Sequence, residues 1–201
     1  MANVRGALTG LLLLLLSGCG TLPSSPEPSV AVTPWESRVK TLSQLQQWQL
    51  EGRVALRMGK EGGQSSFRWV QSPQQQQFEL SGLLGAGALQ LTSSEQGAVL
   101  EQGGERYQGR HASTLLASVS GWKIPVEAAR YWVRGIPDPQ QPITYSLLDE
   151  ANRLQQLEQA GWKIEVRRYQ TVGEIQLPAF VVLSQNEVKL KMKLNQWVLP
   201  Q

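Results

Sequence analysis

The 201-residue chain has one cysteine and one histidine. A single cysteine excludes an intramolecular disulfide. One histidine with no second cysteine leaves no zinc-type donor set. His111 stands at an expected helix start and reads as a solvent-facing cap residue. There is no Gly-x-Ser-x-Gly elbow to expose a nucleophile. Gly82, Gly85 and Gly87 have the wrong spacing for a phosphate loop and lie between strands rather than before a helix. Glu150, Glu158 and Glu165 are scattered along the chain and read as surface residues. The formal charge is only +3. Apart from the alternating Lys189, Lys191 and Lys193 there is no dense basic stripe, so nucleic acid is not an expected partner. These absences predict no catalytic residue, no metal and no cofactor.

A long apolar run is present only at the N-terminus. Residues 1–18 carry Arg5, then LTGLLLLLL, then small residues. That is the pattern of a secretory signal, and the run is shorter than the roughly 20 residues that span a bilayer. It ends in Leu16-Ser17-Gly18-Cys19, which resembles the bacterial lipobox. The resemblance implies that residues 1–18 are removed and that Cys19 carries diacylglycerol and an N-acyl chain. Gly20, where an aspartate would resemble an inner-membrane retention signal, points to the outer membrane. Removal of Arg5 lowers the formal charge to +2. Residues 19–34 hold Pro23, Pro26, Pro28 and Pro34. Proline fixes φ and lacks an N–H, so this is an extended tether reaching about 45 Å. Residues 35–201 then form a single domain.

From Pro34, the apolar spacing of Trp35, Val39 and Leu42 predicts a helix. From Trp48 the period becomes two: Trp48, Leu50, Gly52, Val54, Leu56 and Met58 share one face of a strand. Glu61-Gly62-Gly63 reads as a turn, and further short strands carry Phe67 and Trp69, Phe78 and Leu80, and Leu89 and Leu91. Helices are expected from His111 to Val119 and from Pro125 to a stop at Gly135. Strands follow near 142–148, 153–159, 162–170, 178–185 and 187–198. About eleven strands and three helices argue a mainly β, α+β fold: an antiparallel sheet curling into an incomplete barrel with a helical lid. A barrel filled by its own side chains and one with room for an apolar ligand both fit this pattern.

Several segments together resemble the LolB family of outer-membrane lipoproteins. They are the lipobox, Trp48-Gln49-Leu50-Glu51-Gly52-Arg53, Phe67-Arg68-Trp69, Leu84-Gly85, Gly121-Trp122-Lys123-Ile124-Pro125, Trp132-Val133-Arg134-Gly135 with Pro137, Gly161-Trp162, Leu177-Pro178, and Lys189 to Leu194 with Trp197. The resemblance implies an apolar cavity that takes an acylated lipoprotein from a soluble periplasmic carrier of the same fold, LolA-like. The acyl chains then enter the inner leaflet of the outer membrane, without nucleotide or metal. Expected partners are the carrier, client lipoproteins through their acyl chains, and outer-membrane lipid, and the protein is expected to be a monomer.

Two groups of site residues follow. Large apolar residues on the alternating faces, namely Trp48, Leu56, Phe67, Trp69, Phe78, Leu80 and Trp132, are expected to line the acyl cavity. Leu83 and Leu84 sit among glycines at a bend that would ordinarily be polar. The resemblance implies that Leu84 tips a membrane-inserting loop, with Leu83 where the family has proline. The rival readings are a structural outer-membrane lipoprotein assisting envelope assembly, with a filled core, and a lipid-modifying enzyme, which one histidine makes poor.

Overall fold

A computed structural model describes residues 33–81 and 88–200. Cys19, the tether as far as Val32, and Leu83 and Leu84 lie outside the described residues.

The chain enters the fold through α1 (Trp35–Gln44) and places its first and last strands side by side. These are β1 (Trp48–Met58) and β11 (Val188–Val198). From that centre, β2 (Glu61–Gln71), β3 (Gln75–Ser81), β4 (Leu89–Ser94), β5 (Gly97–Gln102) and β6 (Glu105–Gly109) extend one way. On the other side follow β10 (Ile175–Gln185), β9 (Trp162–Val172), β8 (Leu154–Gln159) and β7 (Ile143–Leu148). Among the described residues all pairings are antiparallel, and β6 and β7 remain the two edges, so the eleven-stranded sheet is not closed. The chain crosses from β6 to β7 through α2 (Ala112–Ser120) and α3 (Val126–Trp132).

Period-two patterning builds the core. In β1, Trp48, Leu50, Val54 and Leu56 are buried while Arg53 and Arg57 are exposed. Antiparallel register then aligns apolar residues across strands: Trp197, Leu50, Trp69, Phe78, Leu91 and Leu100 form one row over six strands. Cross-strand pairs of this kind each stabilise a sheet by roughly 0.2–1 kcal/mol. Gly52 lies in the next row, where β1 and β11 shift register between Glu51 and Gly52. A Cβ there would fall 2.0 Å from the Lys193 carbonyl and 2.9 Å from the Phe67 ring, so only glycine fits.

Two expectations need correction. Glu61-Gly62-Gly63 is strand, not turn: Glu61 pairs with Met58 and Gly62 with Arg57. The reversal falls at Gly59 and Lys60, with Gly59 at φ +60, the left-handed conformation that glycine adopts without steric cost. Strand β10 also begins at Ile175 rather than at 178, and holds Pro178 in its interior. Proline cannot donate to a ladder. The register shift between Pro178 and Phe180 accommodates it. Its carbonyl accepts from Trp197 Nε1 at 3.0 Å and Gln170 Nε2 at 3.3 Å.

Candidate functional site

Helices α2 and α3 are joined as one piece. His111 is the N-cap residue of α2 but gives no side-chain capping bond. A group from α3 fills that need: Glu127 accepts from the Ser113 backbone N–H at 3.1 Å and from the Ser113 hydroxyl. Ser113 Oγ in turn accepts from the Val126 N–H at 2.8 Å. A carboxylate at a helix N-terminus satisfies orphan donors and complements the dipole. Gly121 ends α2 in the left-handed conformation at φ +77. The piece packs on β4, β5 and β6 through α2.

Between this piece and the sheet lies a cavity of about 50 Å³, whose accessible wall is apolar among the described residues. The sheet contributes Val54, Leu56, Trp69, Phe78, Leu80, Leu89, Leu183, Leu190 and Met192. The helices and their connector contribute Leu116, Trp122, Ile124, Val126 and Ala129. Ligand pockets usually measure about 300–1,000 Å³, so the interior is almost filled by its own side chains.

Of the seven residues expected at the cavity, Leu56, Trp69, Phe78 and Leu80 line it. Trp48 and Phe67 are buried one ring behind the wall. Trp48 packs edge-on against Trp69 at 5.3 Å and Trp197 at 5.4 Å, and Phe67 stacks on Phe78 at 5.8 Å. Trp132 stands apart. It is fully buried, lies 6.3 Å from Trp162, and donates its indole N–H to Gln159 Oε1 at 2.8 Å. Cys19, Leu83 and Leu84 lie outside the described residues. Trp122 and Ile124 are wall residues that periodicity missed, since they lie in an irregular connector; their sequence signals were the Gly121–Pro125 motif and, for Trp122, the conspicuous number of tryptophans.

Behind the site, Arg134 ties α3 to α1. Its guanidinium donates to the Leu42 carbonyl at 2.6 Å, the Leu45 carbonyl at 2.9 Å and the Arg130 carbonyl at 3.0 Å. Burial pushes its pKa down to about 10. Cations at a helix C-terminus satisfy the last carbonyls.

The sequence model of the family described as outer membrane lipoprotein LolB matches residues 46–197. The chain belongs to the LolB family. It is 35% identical over 198 residues to the outer-membrane lipoprotein LolB of Pseudomonas paraeruginosa, covering 97% of this chain and 96% of that one. To the outer-membrane lipoprotein LolB of Chromohalobacter salexigens it is 32% identical over 201 residues, covering 99% and 92%. Among solved structures it resembles a LolA superfamily protein from Nitrosomonas europaea, with a TM-score of 0.51 at 5% identity over 84% of this chain and 94% of that one. It also resembles a DUF1329 family protein from Desulfovibrio piger, with a TM-score of 0.52 at 8% identity over 82% and 90%. Those two likenesses establish the fold alone. Within this LolB-family chain, the motif Gly121–Pro125 is the connector that roofs the cavity, and Trp132–Gly135 is the joint between the helices, α1 and β8.

Proposed function

We propose that this LolB-family chain accepts acylated lipoproteins from a soluble periplasmic carrier and delivers their acyl chains to the inner leaflet of the outer membrane. The observation that carries the reading is the wholly apolar cavity beneath α2 and α3. Each buried CH₂ is worth about 0.8 kcal/mol, so an acyl chain in water costs on the order of 10 kcal/mol. Such a cargo must pass between apolar sites. In this reading the cavity of about 50 Å³ is the closed form; an incoming chain displaces the apolar side chains of α2, α3 and their connector from the sheet. One set of apolar contacts replaces another, which keeps loading reversible. Closure over its own side chains favours release once the bilayer offers a better solvent.

In this reading Cys19 carries the lipid anchor, the Pro-rich segment is the tether, and the chain does no covalent chemistry. Leu83 and Leu84 belong to the connection between Leu80 and Leu89, which both line the cavity and pair across β3 and β4. A Leu pair there would enter the leaflet beside the departing acyl chains. The carrier partner is expected to share the fold.

The small volume also favours one rival, a structural lipoprotein with a filled core. A transfer experiment separates them. The mature chain bearing Cys19→Ala is mixed with a carrier–lipoprotein complex, and the lipoprotein is followed by pull-down. Movement of the lipoprotein onto the chain, and from the lipidated chain to liposomes, is expected. No transfer at high concentration, with no binding of an apolar fluorescent probe, would establish the filled-core reading instead.

A further inference from the structure

A second depression, polar where the cavity is apolar, lies across α3 from it. It measures about 350 Å³ and is bounded by Gln71, Pro73, Gln76 and Ser93 of the sheet side and by Glu127 and Arg130 of α3. A neighbouring hollow of about 210 Å³ shares Gln71, Pro73 and Arg130. We propose that this groove binds the peptide segment adjoining the acylated cysteine of a client lipoprotein; the proposal rests on the acyl-cavity reading above.

The wall chemistry selects this ligand. Six buried side-chain polar atoms among the described residues have no hydrogen-bond partner, and three of them, Gln71 Oε1, Gln76 Oε1 and Arg130 Nε, belong to residues of this groove. Gln76 is only 7% exposed, and its amide nitrogen is held by Ser93 Oγ at 2.8 Å. Gln71 spends its amide nitrogen on the Ser72 carbonyl at 2.6 Å. Arg130 uses one Nη on the Tyr131 hydroxyl at 3.1 Å. Unmade buried hydrogen bonds are costly, so such groups mark a place where a partner stabilises. The terminal torsion of glutamine is broad; turning either buried oxygen toward the groove releases the bond its nitrogen makes to Ser93 or Ser72, and a bound peptide's own N–H and C=O replace it. Two acceptors and a donor complement a peptide backbone, which offers one N–H and one C=O per residue. Glu95 and Arg110 also border the groove, and charges of both signs argue against a phosphate-type anion.

Position supplies the second argument. On β3, Phe78 lines the apolar cavity and Gln76 lines the groove. They lie on one face, two residues or about 7 Å apart. On α3, Val126 and Ala129 line the cavity while Glu127 and Arg130 line the groove. A lipidated N-terminal cysteine changes from hydrocarbon to peptide over a similar distance. The two compartments therefore match the two halves of that ligand.

The test compares a diacylated cysteine pentapeptide with palmitate, using the mature chain bearing Cys19→Ala and its Gln76→Leu and Arg130→Ala variants. In the wild-type background the lipopeptide is expected to bind more tightly than palmitate. Each variant is expected to weaken lipopeptide binding about threefold to tenfold, the scale of one lost hydrogen bond, and to leave palmitate binding unchanged. Lipopeptide affinity unchanged in both variants overturns the groove while leaving the cavity standing. Equal weakening of both ligands also overturns it, as a general disturbance of the cavity. Failure of both ligands to bind the wild-type background overturns the acyl-cavity reading and the groove with it.

Discussion

Gln159, without solvent exposure in β8, accepts the indole N–H of Trp132 at 2.8 Å and the Asp138 N–H at 2.9 Å. Its amide nitrogen donates to the carbonyls of Asp138 and Gln141, both at 2.8 Å. One side chain thus fixes the end of α3 and the loop that returns the chain to the sheet. Gln159→Leu leaves the Trp132 N–H and the Asp138 N–H and carbonyl buried without partners, at about 1–3 kcal/mol each where no relaxation occurs. A loss of roughly 3 kcal/mol in urea unfolding is expected. An unchanged midpoint would show that the loop readily re-forms its bonds without Gln159.

Gly52 sits where β1, β11 and the Phe67 ring meet. Gly52→Ala places a methyl group against the Lys193 backbone carbonyl, which is held in the sheet and cannot swing aside. Loss of folded protein, or a destabilisation of about 3 kcal/mol or more, is expected. Circular dichroism melting checks it. A variant that melts with wild type would mean that the β1–β11 ladder shifts freely at its bulge.

Asp149 organises the turn between β7 and β8. Its carboxylate accepts from the backbone of Ala151 at 3.0 Å and Arg153 at 2.8 Å, and from Arg153 Nε at 2.8 Å. Burial pushes its pKa up, but the Arg153 hydrogen bonds and charge outweigh that and hold it below the usual carboxylate value. A carboxyl with a depressed folded pKa adds stability above its unfolded pKa, near 4, and loses it as pH falls through the folded value. Asp149→Asn is therefore expected to lose stability on the order of 1 kcal/mol at pH 7, with the difference from wild type shrinking below about pH 4. Urea titrations at pH 7 and pH 3 measure this. A difference that is constant with pH would assign the effect to turn geometry instead of charge.

Leu84→Glu is expected to leave folding and lipoprotein acceptance nearly intact and to slow deposition into liposomes. Burying one leucine in a leaflet is worth about 1.5–3 kcal/mol, enough to bias docking while keeping it reversible. Deposition as fast as wild type would refute the membrane-entering loop. A large fall in melting temperature would place Leu84 in the core instead.

Alternation and punctuation in the sequence determined much of the fold. The period of two in β1 and β11 marked their buried faces, and Pro34, His111, Pro125 and Gly135 marked helix limits close to those observed. These signals are local: a side chain's face follows from its own strand. Position along that face does not. Trp48 and Trp69 share the inner face, yet only Trp69 reaches the cavity, because Trp48 is held between Trp69 and Trp197, a residue 149 positions later. Glu61-Gly62-Gly63 carried a turn signal that pairing with β1 overrode. Pro178 marked the expected start of its strand, and a register shift lets the ladder run back past it to Ile175. The cavity's volume and the groove beside it depend on how α2 and α3 seat against residues from six strands. That is a sum of non-local packing, which only the tertiary structure decided.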